Sequence, residues 1–241
     1  MPRINLQDFF RYYDENNPNQ LEAIALLSKA MPDTLMQDKS AWVQKYREPI
    51  ALPDPPAWPI TKAQMATIMG CPPASLPDSL MDDYARCVET FEMDRHTQVY
   101  FLGQCGHESC GLRYPVEIHD GSNYEGRSDL GNVNPGDGVK YAGTGWIQVT
   151  GRYNHQRFAD YIGDDRVMSE GKTYSSEKYP WTISGHWWMT NNMNDFCAVR
   201  RECNNHQIDE VGARVNGRMR PNGADDRITY TDRAYRTLIG V

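Results

Sequence analysis

Two glutamates nine positions apart, Glu108 and Glu117, stand in the segment His107-Glu108-Ser109-Cys110-Gly111-Leu112-Arg113-Tyr114-Pro115-Val116-Glu117. A polar, glycine-rich stretch follows and ends in Trp146-Ile147-Gln148-Val149-Thr150-Gly151. Paired carboxyls beside such a stretch suit hydrolysis of a glycosidic bond. One must hold a proton for the leaving oxygen, and the other must stay ionised on the far side of the sugar. Acid pairs at this spacing are common in soluble proteins, so the surrounding residues carry the weight of the reading.

The elements that must position this pair can be read from periodicity. A helical pattern runs from about Pro77 to His107, with a break near Met93-Asp94, and delivers Glu108 at its C-terminal end. Thr61 followed by Gln64 reads as a capping box opening an earlier helix. Seven glycines between Gly121 and Gly145 mark turns that form a cleft wall. This stretch is no phosphate loop, because the Lys-Ser/Thr ending is missing. Helical patterns return at Tyr153–Tyr161, Tyr179–Met193, Ile208–Val215 and Asp225–Leu238. Five prolines between Pro49 and Pro59 predict an extended linker. The expected organisation is a small helical module over 1–48, a linker over 49–59 and a catalytic domain over 60–241.

Composition bounds the chemistry. The 241 residues carry a net charge of −7, which argues against a nucleic-acid partner, since such proteins usually present a basic face. Residues 1–30 show no basic start followed by an apolar stretch, and no run approaches bilayer length. Neither an export signal nor membrane insertion is therefore expected. The six cysteines are expected to be reduced. Cys105, His107 and Cys110, or Cys197, Cys203 and His206, lack the paired short cysteine spacings of a structural zinc site, and neither metal nor cofactor is expected.

Several sequence words in fixed order resemble the chitinase-like family 19 glycoside hydrolases, particularly their phage endolysin branch. They are Phe101-Leu102-Gly103-Gln104, Gly106-His107-Glu108-Ser109, Tyr124-Glu125-Gly126-Arg127, Asn134-Pro135-Gly136-Asp137-Gly138 and Tyr141 through Asn154. The resemblance covers about residues 60–241 and implies a mainly α-helical, lysozyme-like, two-lobed domain. It implies that Glu108 is the general acid and Glu117 the general base, with Glu125 as the alternate base, and that Thr150 helps hold the attacking water. Gln148 and Asn154 match positions lining the sugar subsites, and Tyr141, Trp146, Asn216 and Arg227 complete the expected substrate-contacting set. Asn216 and Arg227 also match residues that brace the carboxylates, with Arg233 as the alternate arginine. Family members commonly carry arginines where Ala142 and Thr144 stand here.

The expected activity is inverting cleavage of β-1,4 bonds in bacterial peptidoglycan by a monomer, held in the host cytoplasm or the virion before it meets the wall. Chitin is the alternative substrate. Two rivals come from other classes: a zinc peptidase using His107 and Glu108, and a phage structural or wall-binding protein that has kept the fold without catalysis.

Overall fold

The computed structural model describes residues 59–218 and 220–240; the expected module over 1–48 and nearly all of the linker lie outside the described residues. The candidate site lies in the compact unit made of Leu52–Phe158 and Asp165–Val241. The described chain is mainly helical, in the lysozyme-like α class expected. Its only β pairing, among the described residues, consists of the isolated bridges Val116–Thr144 and Thr144–Val149.

Helix α1 (Lys62–Met69) opens with the predicted capping box: Thr61 N donates to Gln64 Oε1 at 2.8 Å, and Gln64 N donates to Thr61 Oγ1 at 3.2 Å. Beyond it the expected break is real. Helix α2 (Asp78–Thr90) ends before Met93, and α3 (Arg95–Glu108) starts afresh with Asp94 as its cap, accepting from Thr97 N at 2.8 Å. Helix α3 is buried nearly all round, as a central helix must be when both faces meet neighbours.

The remaining helices follow in chain order. They are α4 (Asp137–Lys140), α5 (Arg152–Ile162), α6 (Arg166–Glu170), α7 (Lys172–Lys178), α8 (Pro180–Thr190), α9 (Met193–Ala198), α10 (Asn205–Asn216) and α11 (Ala224–Leu238). Helix α11 lies along α3, and α8 packs on α2. The α3–α11 approach is set by Gly103 and Gly106: a Cβ at Gly103 would meet Thr231 Oγ1 at 2.0 Å, and one at Gly106 would meet the Tyr230 ring at 2.6 Å. Without side chains there, the first turn of α11 can reach the end of α3, where Glu108 stands.

The core gathers on Trp181, whose ring centroid lies 4.9 Å from Tyr84, 5.8 Å from Phe101 and 5.8 Å from Trp146. Trp188 meets Phe101 at 5.2 Å. These contacts are tilted or edge-on, the arrangements that aromatic quadrupoles favour. Among the described residues no helix is long and apolar enough to cross a membrane.

Candidate active site

Glu108 closes α3 with its side chain one-fifth exposed, and its Oε1 accepts from Arg227 Nη2 at 2.5 Å. Arg227 is 1% exposed and fully engaged: Nη1 donates to Gln104 Oε1, and Nε donates to the Asn222 carbonyl at 3.0 Å. Gln104 sits one helical turn before Glu108, so the guanidinium bridges two side chains of one helix face. A buried cation held at all three nitrogens is restrained in orientation, and it fixes one oxygen of Glu108 while leaving Oε2 for a transferable proton.

Glu117 is held from the other side. Its Oε1 accepts from the Tyr124 hydroxyl at 2.9 Å and its Oε2 from Gly143 N at 3.0 Å, while its own N–H donates to the Gly143 carbonyl at 2.9 Å. The short 3₁₀ turn Ser122–Tyr124 presents that hydroxyl, and Asn132 Nδ2 anchors the turn by donating to the Tyr124 carbonyl at 3.0 Å. Two donors leave the carboxylate oxygens with lone pairs to spare, so Glu117 can still accept a proton from water.

A pocket of about 240 Å³ brings the two acids together. Glu108, Tyr114, Glu117, Ile118 and Gln148 are among its lining residues. Tyr114 is 44% and Ile118 74% exposed, giving the pocket an apolar rim. Gln148 adopts φ +58°, a left-handed backbone uncommon outside glycine, and its Nε2 donates to the carbonyls of Tyr114 and Gly145, each at 3.2 Å. Strain of this kind persists where surrounding contacts over-determine a residue, and here they tie the Gln148 turn to the Tyr114 loop.

No protein-family model matches the chain. In sequence it is similar to a glycosyl hydrolase family 19 domain-containing protein of Haemophilus influenzae, 26% identical over 178 residues that cover 61% of this chain and 80% of that protein. In fold it is similar to chitinase C from Streptomyces griseus HUT6037, at 18% identity and a TM-score of 0.56 over 75% of this chain and 93% of the other. A chitinase C mutant gives the same TM-score at 17% identity, over 76% and 94%. The chain is thus similar in sequence to a family 19 glycosyl hydrolase domain protein, and its fold is similar to that of chitinase C. In this fold the shared pocket places the carboxyls of Glu108 and Glu117 together.

The other expected residues of the hydrolase scatter. Thr150 is half-buried and donates to the Gln148 carbonyl at 3.0 Å, and Asn154 Nδ2 donates to the Thr150 carbonyl at 2.8 Å. Neither lines the pocket that holds the acids. Asn216 Oδ1 accepts from Asn222 N at 3.0 Å, one link away from Arg227.

Three of the expected substrate-contacting residues are buried. Tyr141 is 1% exposed and its hydroxyl donates to the Met168 carbonyl at 2.9 Å; Trp146 is 4% exposed against Trp181; Arg227 is committed to Glu108 and Gln104. Arg227 is therefore a positioning residue. The alternate arginine, Arg233, lies over the Tyr230 ring. The alternate base Glu125 spends both oxygens on backbone, accepting from Gly136 N at 2.6 Å and Gly138 N at 2.8 Å, and does not line the pocket. Ala142 and Thr144, where the family commonly carries arginines, are fully buried, and Thr144 Oγ1 donates to the Lys172 carbonyl at 2.9 Å.

Two positioning residues escaped the sequence reading, Tyr124 and Gln104. Tyr124 stands in the Tyr-Glu-Gly-Arg word, where attention falls on the neighbouring acid. Gln104 was detectable as the residue four before Glu108 on a helix. His107 takes the helix-end role, its Nδ1 lying 2.8 Å from Asp226 Oδ2. The six cysteines are unpaired thiols, and among the described residues no three His, Cys, Asp or Glu side chains converge as a metal site.

Proposed function

We propose that the chain is an endolysin-type hydrolase that cleaves β-1,4 bonds of bacterial peptidoglycan by single displacement, with Glu108 as acid and Glu117 as base. Glu108 would pass its proton to the leaving glycosidic oxygen. Glu117 would take a proton from the water attacking the anomeric carbon on the opposite face, and the product would invert. The observation that carries this reading is the shared pocket, in which each carboxyl has its own orienting donors: Arg227 for Glu108, Tyr124 and Gly143 for Glu117. The resemblance of the ordered sequence words to the phage branch supports the wall substrate. The reading includes a monomer that waits in the host cytoplasm or the virion until it meets the wall.

Chitin is the second reading, favoured by the solved chitinases of similar fold. Mass spectrometry of products from purified peptidoglycan and from chitin oligomers, with wild type, Glu108→Gln and Glu117→Gln, decides between them. New reducing sugar ends from peptidoglycan, lost in both variants, are expected, and the end sugar tells muramidase from glucosaminidase cleavage. Cleavage of chitin alone would move the substrate assignment. Released peptides with intact glycan, or products that persist in both variants, would overturn the mechanism.

A further inference from the structure

A second cavity, of about 350 Å³, lies apart from the acid pair at the C-terminal end of α10. Phe196, Arg200, Glu210, Arg214 and Arg218 line it, so three guanidinium groups face one carboxylate in a chain whose net charge is −7. That carboxylate is already used: Arg200 Nε donates to Glu210 Oε2 at 3.0 Å, and Arg200 Nη1 donates to the Phe196 carbonyl at 2.6 Å. Arg214 and Arg218 are exposed, and neither has a carboxylate partner among the described residues.

The Phe196 ring organises the group. Its centroid lies 3.4 Å from the Arg200 guanidinium carbon and 4.4 Å from that of Arg214. Stacking on the ring restrains the Arg214 plane while leaving its N–H edges free for a planar anion. The bland account of Arg214, a cation in the last turn of α10 meeting the helix dipole, does not explain why Arg218 beyond that helix joins it in the same cavity.

A short path of chain and hydrogen bonds links the cavity to Glu108. Gly217 lines it, and five residues further on Asn222 contacts Arg227, which holds Glu108. Five residues of chain span at most about 18 Å. A peptide of about four or five residues hanging from a glycan has a similar maximum span.

We propose that Arg214 and Arg218, braced by Phe196, form a subsite for the carboxylates of peptide substituents on the glycan. This inference rests on the peptidoglycan reading. Chitin carries no carboxylate, so the subsite would make peptide-bearing glycan the preferred substrate.

The test compares wild type with the double variant Arg214→Ser/Arg218→Ser on three substrates: peptide-bearing glycan, the same strands stripped of peptide, and chitin oligomers. Calorimetric binding of a disaccharide-tetrapeptide runs alongside. The expected result is a rise in KM and a loss of affinity of about tenfold or more, confined to peptide-bearing ligands. The lysine pair at the same positions keeps the charge but loses the stacked planar fork, so it should recover only part of that loss, which separates charge from guanidinium geometry. Equal KM on peptide-bearing glycan, or equal affinity for the disaccharide-tetrapeptide, would overturn the subsite. Failure of wild type to cleave any peptidoglycan would overturn the functional reading instead, and the calorimetry would still judge the subsite.

Discussion

Tyr124 and Arg227 divide the work of holding the two acids, and their removal should fail in different ways. Tyr124→Phe keeps the ring and deletes the hydroxyl, and with it one donor to Glu117 and the contact with Asn123. A hydrogen bond to a charged group is worth about 1.5–3 kcal/mol, which corresponds to roughly a ten- to hundredfold loss. That loss is expected in kcat, with KM and melting temperature unchanged, in steady-state kinetics on a soluble oligomer. Arg227→Ala should be a folding variant as much as a kinetic one, since it strips a 1%-exposed cation from Gln104 and Asn222 as well as from Glu108. Destabilisation of about 3 kcal/mol is expected in urea titrations. Glu108→Gln keeps an oxygen for Arg227, so it should hold its fold and lose activity by roughly 10²- to 10⁴-fold. Glu108, Glu117 and Gln148, all of which sit in or beside ordered sequence words, line one pocket. The burial of Tyr141 and Trp146 was not legible, because a local word does not say which of its aromatic rings faces the core.

At the scale of elements, the Thr61–Gln64 cap and the break near Met93-Asp94 were legible, and α10 and α11 fall within a few residues of the patterns read for them, while the Asp94 and Asn204 caps were not read. The short helices α4, α6 and α7 were not legible, being too brief for a period to show. Helix α4 is held instead by a distant side chain, the Glu125 carboxylate on Gly136 N and Gly138 N. The clamp needs Gly138, where a Cβ would meet Glu125 N at 2.5 Å. Glu125→Gln is therefore expected to lower stability by about 1 kcal/mol, because its amide would oppose one of those N–H groups, while activity stays within a few-fold of wild type. Glu117→Gln should do the reverse. If Glu125→Gln were the inactive variant, the base would have to be reassigned across this clamp.

On the scale of the whole molecule, two buried titratable groups far apart in sequence oppose each other with pH. Asp83 on α2 caps α8 from outside, accepting from Trp181 N at 2.7 Å and from the Thr182 hydroxyl. Burial nonetheless pushes its carboxyl from 3.8 up to about 6. The folded state thus binds its proton more tightly than the unfolded chain, so the associated stability is present below pH 4 and lost as pH rises to 6. His155 on α5 is fully buried, with Nδ1 on the Gly151 carbonyl at 2.9 Å, and burial pushes it from 6.5 down to about 4. Its contribution runs the other way, present above pH 6.5 and lost as pH falls to 4. Each shift corresponds to about 3 kcal/mol, so the two nearly cancel. Asp83→Asn keeps an acceptor for α8 but removes the titration. Its melting temperature should fall more steeply than that of wild type on acidification from pH 6.5 to 4. His155→Phe should show the opposite slope relative to wild type. Parallel melting curves for all three proteins across that window would mean that these two groups are not what sets the pH response of the fold.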